Sequence, residues 1–366
     1  MTADFQLYIN GQFESGAATF ESINPATGEV WAHMPEARTD EVNRAVQAAS
    51  QALKAPEWAG LTASQRGKLL YKLADLIEKA APQLAQIETS DTGKIIRETS
   101  SQIAYVAEYY RYYAGIADKL EGSFLPIDKA DMQAWIVREP VGVVAAIVPW
   151  NSQLFLSAVK VGPALAAGCT VVLKASEDGP GPLLAFAKLV HEAGFPAGVV
   201  NVITGFGPEC GAVLSSHPDV AHVAFTGGPE TARHIVRNSA ENLAKVSLEL
   251  GGKSPFIVFA DADIQSAVNA QVAAIFAATG QSCVAGSRLL VEESIKDEFV
   301  QRLVERVQTI KIGLPHEMAT EFGRFVPYAN AKKLSKSLQV QSSKVQNCLL
   351  GVKALSEQVI TIHQPF

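Results

Sequence analysis

The pattern of apolar and polar positions divides the chain into two parts. Over 40–57 and 63–120, apolar residues recur at helical spacing, which predicts amphipathic helices. The first 40 residues are turn-rich, with a loop at 24–29 (NPATGE). Residues 123–140 read as extended and partly polar, which predicts a hairpin arm and not a core strand.

From residue 141 onward, short β-branched runs alternate with Ala/Leu-rich helical patterns. This alternation predicts a parallel sheet buried on both faces, as in doubly wound α/β proteins. The predicted strands are 142–148, 170–174, 199–203, 222–226 and 245–250, and the predicted helices lie near 155–167, 181–193, 208–215 and 230–240.

A second α/β series follows near Gly251-Gly252. It predicts a strand at 254–259, a helix at 263–279, a strand at 287–292 and a helix at 294–309. After about residue 320 the pattern weakens, and no strand–helix unit closes this second domain. The predicted organisation is therefore a first domain over 1–122 and 141–252, an arm over 123–140 and an incomplete second domain over 253–366.

Composition narrows the class of protein. The 366 residues are 48% hydrophobic and 19% charged, with a net charge of −6. No basic block predicts a nucleic-acid partner, and no apolar run is long enough for a membrane span. Four cysteines without a CxxC pair and seven histidines without an HxxxH or HExxH pair argue against disulfides and a metal site. We expect a cytoplasmic protein, because this cysteine usage fits a reducing compartment and the N-terminus lacks the pattern of a signal peptide.

Chemically useful residues follow several predicted strands, at the sheet edge where open α/β folds bind ligands. Asn151 follows the first strand and is either an oxyanion donor or a turn residue. Lys174 and Glu177 follow the second and form either a ribose site or a solvated ion pair. Glu249 ends the fifth strand, as a general base or an edge charge.

Two glycine-rich stretches stand at the other strand ends. GFGPECG (205–211) resembles a phosphate loop that opens a helix, although one G-x-G is a weak signal. Gly227-Gly228-Pro229 places a proline at the first turn of a helix, whose exposed N–H groups suit an anion.

Cys283 lies in ATGQSCVAGS, between small and polar residues after a helical run. This setting fits a nucleophile, a metal ligand or a core thiol. The residues by themselves leave these three possibilities open.

Several blocks together resemble the NAD(P)-dependent aldehyde dehydrogenase superfamily. They are EPVGVVAAIVPWN, GPALAAGCTVVLK, GFPAGVVNVITGFG, AFTGG, LELGGKSPFIVF and GQSCVAGSR, in the family's order over roughly residues 7–330, and Cys283 follows Glu249 by 34 positions. The resemblance implies NAD as cofactor, an aldehyde as substrate and a homodimer or homotetramer that uses the 123–140 arm.

The resemblance also implies roles for individual residues. Cys283 is the nucleophile, Glu249 the general base, and Asn151 with the Cys283 backbone N–H the oxyanion hole. Lys160 matches a frequent active-site lysine, with a structural ion pair as the alternative. The implied cofactor residues are Lys174, Ser176, Glu177, Gly207, Gly227, Gly228, Trp150 and Ile147, and the implied substrate residues are Ser152, Leu156, Val159, Ser282 and Val284.

Two features set specificity expectations. Glu177 beside a 2′-phosphate would place like charges together, which favours NAD over NADP. Small side chains at Ser152 and Val159 predict an open, apolar tunnel that prefers a branched or ring-bearing aldehyde to acetaldehyde.

The sequence also departs from the family's pattern. Gly228-Pro229 replaces a hydroxyl residue followed by threonine, and the later block that contacts the nicotinamide ribose is absent. We therefore expect a C-terminally truncated member. Besides NAD-dependent oxidation to a carboxylate, two alternatives stay open: CoA-acylating oxidation, which Glu249 argues against, and an inactive or weakly active fragment that still binds nucleotide.

Overall fold

The computed structural model describes residues 3–323. Its strands, in chain order, are β1 (Ala3–Asp4), β2 (Leu7–Ile9), β3 (Gln12–Glu14), β4 (Ala18–Ile23), β5 (Val30–Glu36), β6 (Ser123–Leu125), β7 (Ala134–Ile136), β8 (Val143–Ile147), β9 (Thr170–Ala175), β10 (Val200–Thr204), β11 (Val220–Gly227), β12 (Lys245–Leu250), β13 (Pro255–Val258), β14 (Arg288–Val291), β15 (Ile312–Gly313) and β16 (Phe322–Gly323).

The α-helices follow the amphipathic patterns closely. They are α1 (Thr39–Lys54), α2 (Pro56–Ala59), α3 (Ala63–Thr92), α4 (Ile96–Ile116), α5 (Gln153–Ala166), α6 (Gly181–Ala193), α7 (Ala212–Ser216), α8 (Pro229–Asn242), α9 (Ile264–Phe276) and α10 (Lys296–Gln308). None of these helices combines the length and the apolar character that crossing a bilayer requires.

The central sheet has the order β12-β11-β8-β9-β10-β2-β3. Its first five strands are mutually parallel, and β2 and β3 extend the β10 edge in antiparallel fashion. The chain runs outward from β8 to β10 and then returns to β11 on the other side of β8. This reversal of direction is the point where doubly wound sheets bind ligands.

Both faces of this sheet carry packed helices. One apolar cluster joins the sheet to α3, α4, α5 and α6, and a second joins it to α1, α7 and α8. The central strands β8, β9 and β10 are buried along their whole length. The predicted α/β doubly wound class is therefore confirmed.

Smaller sheets surround this core. The order β1-β5-β4 forms one sheet, β6 and β7 form an antiparallel hairpin, and β13 pairs in parallel with β14. The β13–β14 pair packs with α9 and α10 around Val258, Val268 and Phe299. The domain boundaries stay a prediction. The weak pattern expected after about residue 320 lies almost wholly outside the described residues, as does the end of the 253–366 domain.

Three sequence expectations were wrong in detail. The helix over 63–120 is interrupted, because Gly93 adopts a left-handed φ of 76° that ends α3. The first 40 residues form five strands and not only turns. β1, β2 and β3 have two or three residues and leave little alternation to read, and the seven residues of β5 include Pro35, which argues against a strand in the sequence. The helix over 263–279 ends at Phe276, because Ala278 and Thr279 leave helical geometry.

Candidate active site

A cavity of about 970 Å³ lies at the carboxyl edge of the central sheet. The ends of β8, β9 and β11 contribute to its wall, together with the turn after β10 and the first turns of α8. All eight residues that the sequence predicts for cofactor binding line it: Ile147, Trp150, Lys174, Ser176, Glu177, Gly207, Gly227 and Gly228. The structure thus brings this group together at one ligand-sized site.

Lys174 and Glu177 form an ion pair in the wall of the cavity. Lys174 Nζ lies 3.3 Å from Glu177 Oε2 and donates to the carbonyl of Ala175 at 3.0 Å. Lys174 is buried, whereas about a third of the Glu177 side chain is exposed. The pair therefore presents both a cationic donor and an accessible carboxylate to a polar ligand such as a ribose.

The glycine-rich wall leaves room for an anion. A Cβ atom built on Gly207 or Gly228 meets nothing within 4 Å, so both positions face open space. Gly228 precedes α8, which begins with Pro229, and the free N–H groups and positive dipole of a helix N-terminus favour a phosphate. Gly227 serves a different purpose, because a Cβ there would collide with the Phe225 ring at 2.5 Å.

The predicted oxyanion donor is joined to the loop of the predicted nucleophile. Asn151, which is buried, donates from Nδ2 to the carbonyl of Gln281 at 2.8 Å. This bond orients the amide and engages one of its two N–H groups. The second N–H is the group that can donate to an oxyanion near Cys283.

Cys283 is half-buried, whereas Cys169 and Cys210 are fully buried. A Cβ built on Gly252 would lie 3.3 Å from the Cys283 carbonyl oxygen, so the turn after β12 packs directly against the cysteine backbone. Glu249, near the end of β12, is three residues before this glycine. The turn therefore brings the predicted base and the predicted nucleophile into one region.

Glu249 is exposed on β12 and pairs across the sheet with Thr226. Lys160 of α5 is buried, and this burial lowers the pKa of Lys160 to about 8, while the Glu249 carboxylate acts in the opposite direction. The lysine predicted as a possible active-site residue thus lies within electrostatic range of the predicted base.

The predicted substrate residues differ in their surroundings. Leu156 and Val159 are half-buried on α5, Ser282 is half-buried beside Cys283, and Val284 is 75% exposed. Ser152 is buried, and its hydroxyl lies 3.1 Å from the ammonium of Lys94. Part of this predicted apolar wall is therefore polar.

Lys94 contacts the predicted substrate residue Ser152, and the sequence did not predict this contact. It follows the Gly93 turn and is buried with Glu88, whose Oε1 lies 3.2 Å from Lys94 Nζ. Lysine is seldom fully buried, so a lysine in the sequence is expected at the surface. The sequence therefore does not predict the buried contact of Lys94. The glycine at the end of a long helical pattern is the one local signal that the chain turns here.

Comparisons with known proteins identify the family of this chain. The sequence model of the aldehyde dehydrogenase family matches residues 13–362. The chain is 80% identical over 342 residues to the (Z)-2-((N-methylformamido)methylene)-5-hydroxybutyrolactone dehydrogenase of Acinetobacter baylyi, a match that covers 93% of this chain and 70% of that protein. It is 44% identical over 349 residues to the mitochondrial aldehyde dehydrogenase of Rattus norvegicus, with 93% and 67% covered.

Solved structures of aldehyde dehydrogenases are also similar to this chain. An NAD⁺ complex of the Bacillus cereus aldehyde dehydrogenase superposes with a TM-score of 0.90 and 43% identity, covering 93% of this chain and 70% of that one. A Staphylococcus aureus betaine aldehyde dehydrogenase with NAD⁺ superposes with a TM-score of 0.89 and 40% identity, covering 93% and 68%. On its fold, its site and these matches, the chain belongs to the aldehyde dehydrogenase family.

Proposed function

We propose that the protein oxidises an aldehyde to a carboxylate with NAD, through covalent intermediates on Cys283. The observation that carries this proposal is the 2.8 Å bond from Asn151 Nδ2 to Gln281 O, which ties an amide donor to the loop of a half-buried thiol. The cavity at the switch point of the sheet supports the cofactor part of the proposal.

In the first half of the reaction, the Cys283 thiolate attacks the aldehyde carbon and a C–S bond forms. The oxygen of the resulting thiohemiacetal carries the developing negative charge. The free N–H of the Asn151 amide and the Cys283 backbone N–H donate to this oxygen.

The chemistry that NAD supplies when bound is acceptance of a hydride, which leaves a thioester on Cys283. Glu249 then takes a proton from water while the water oxygen attacks the thioester carbon. The C–S bond breaks, the carboxylic acid leaves, Cys283 recovers its thiolate, and Glu249 releases its proton to solvent.

The cavity residues fit NAD. We assign the pyrophosphate to the α8 N-terminus and the open space beside Gly207 and Gly228, and the adenosine ribose to Lys174 and Glu177. The Glu177 carboxylate would repel a 2′-phosphate, so we propose NAD and not NADP as the preferred cofactor.

We propose that the substrate belongs to the class in the name of the 80% identical relative, a substituted 5-hydroxybutyrolactone. Such a ring is the closed form of a chain with an aldehyde at one end and a carboxylate at the other, so ring opening supplies the carbonyl that Cys283 attacks.

We also propose that the β6–β7 hairpin mediates homo-oligomer assembly. Phe124 and Trp135 are 60% and 66% exposed, although both are large apolar side chains. Exposed apolar groups on a projecting hairpin are typical of a surface that another protein covers.

Measurement of NADH formation tests the function. The 5-hydroxybutyrolactone substrate, benzaldehyde and acetaldehyde are compared, with Cys283→Ser as the variant. We expect turnover of the lactone and a loss of more than about 10³-fold in the serine variant, with NAD affinity retained. Turnover that survives in the serine variant would contradict covalent catalysis at Cys283.

A further inference from the structure

The loop before Cys283 begins with a strained turn. After α9 ends at Phe276, Ala278 has φ 51° and ψ 33°, Thr279 has φ 55° and ψ 42°, and Gly280 has φ 75°. Residues with a Cβ atom disfavour this left-handed region, and consecutive examples are rare. The surrounding structure must therefore hold the turn in place.

Glu98 supplies one of the groups that hold it. This residue lies in the first turn of α4, and its Oε2 accepts a hydrogen bond of 2.9 Å from the backbone N–H of Ala278, 180 residues away in the sequence. Burial raises the pKa of Glu98, while the Ala278 N–H and the charges of Lys94 and Arg97 stabilise its ionised form. The carboxylate thus binds the turn from a different layer of the fold.

Later residues of the loop are also held by hydrogen bonds. Asn151 Nδ2 holds the carbonyl of Gln281 at 2.8 Å. At Gly286, the carbonyl accepts from Gln271 Nε2 at 3.0 Å and the N–H donates to Ala274 O at 3.1 Å. Glu98 acts at the start of the loop, where the left-handed turn sets the direction of the chain toward Cys283.

We propose that Glu98 is a positioning residue for the nucleophile. By fixing the Ala278–Gly280 turn, Glu98 keeps Cys283 in the correct position relative to Asn151. This inference rests on the proposed function of Cys283. Loss of the acceptor would release the turn and let the thiol drift from the oxyanion donor. Because an error of about 1 Å in position can cost about 10²-fold in rate, C–S bond formation should suffer more than cofactor binding.

Three variants of the full chain test the proposal. Glu98→Ala removes the acceptor, Glu98→Gln keeps an acceptor oxygen without the charge, and Glu108→Ala removes an exposed carboxylate of the same helix that pairs with Arg111. The measurements are kcat, KM, the rate of the NADH burst, NAD affinity and the rate at which iodoacetamide alkylates Cys283, followed by mass spectrometry.

For Glu98→Ala we expect kcat and the burst rate to fall by about 10- to 100-fold, and the alkylation rate to change at least about fivefold. KM and NAD affinity should stay within about twofold, and Glu98→Gln should recover most of the lost rate. Glu108→Ala should match the unmodified protein in every measurement.

The proposal is overturned if Glu98→Ala keeps kcat and the alkylation rate within twofold, or if Glu98→Gln loses as much as Glu98→Ala. The alkylation rate does not depend on turnover, so it tests the positioning role of Glu98 separately from the proposed aldehyde oxidation. A protein without aldehyde oxidation, whose Cys283 still alkylates differently in Glu98→Ala, would refute the proposed function and leave the positioning role intact.

Discussion

The ammonium of Lys94 donates to the hydroxyl of Ser152 across 3.1 Å, directly beside the amide that we assign to the oxyanion hole. The same ammonium pairs with Glu88 at 3.2 Å, and the two side chains are only 3% and 0% exposed. Glu88 Oε2 has no hydrogen-bond partner among the residues that the structure describes. A buried ion pair therefore supports Ser152, the neighbour of the proposed oxyanion donor.

Lys94→Met should destabilise the protein by about 3–5 kcal/mol, because it leaves the Glu88 carboxylate buried without its cation. The double variant Lys94→Met/Glu88→Gln should recover part of this loss, since no buried charge remains. Urea unfolding measures both. A single variant as stable as the unmodified protein, or a double variant no better than the single one, would contradict the pairing.

Glu249→Gln should retain a burst of NADH near one per active site while steady turnover falls by about 10²–10⁴-fold, because the amide cannot take a proton from water. Rapid-mixing absorbance at the NADH band distinguishes the two phases. If burst and turnover disappear together, Glu249 instead activates the thiol of Cys283.

Glu177→Gln should reduce the preference for NAD over NADP by about five- to tenfold, since removal of the carboxylate removes like-charge repulsion on the order of 1 kcal/mol. The measurement is kcat/KM for both cofactors. Glu298→Gln, at an exposed carboxylate of α10 that pairs with Arg302, is the matched control and should leave the ratio unchanged. Equal use of both cofactors by the unmodified enzyme would exclude a ribose contact at Glu177.

Asp91 should make the stability of the fold depend on pH. Burial raises its pKa from 3.8 to about 6, although Ser22, the Trp31 indole and the Gly181 N–H all donate to it. A raised pKa in the folded state means that the contribution of Asp91 to stability is fully present below about pH 3.8 and is lost as the pH rises through 6.

The free energy of unfolding of the unmodified protein, minus that of Asp91→Asn, should therefore fall by about 2 kcal/mol between pH 4 and 7. Subtraction removes the titration of other groups that both proteins share. Denaturant unfolding at several pH values gives this difference, and a difference that does not vary with pH would show that Asp91 stays in one protonation state.

The local pattern of apolar and polar residues was sufficient to predict most elements of the fold. The β-branched runs at 142–148 and 170–174 correspond to β8 and β9, since a strand buried on both faces must be apolar along its length. The ligand-type residues at the strand ends were also readable, because parallel strands all end at one edge of the sheet. Lys174, Glu177 and Gly228 accordingly meet in one cavity.

The tertiary structure alone decided which residues support that site. Lys94 meets Ser152 across 58 residues, Asn151 meets Gln281 across 130, and Glu98 meets Ala278 across 180. Neither periodicity nor spacing encodes such pairs, because each depends on how α3, α4 and the central sheet pack together. Lysine and glutamate side chains usually face water. Only the packed structure determines that Lys94 and Glu98 face inward, toward Ser152 and toward the turn before Cys283.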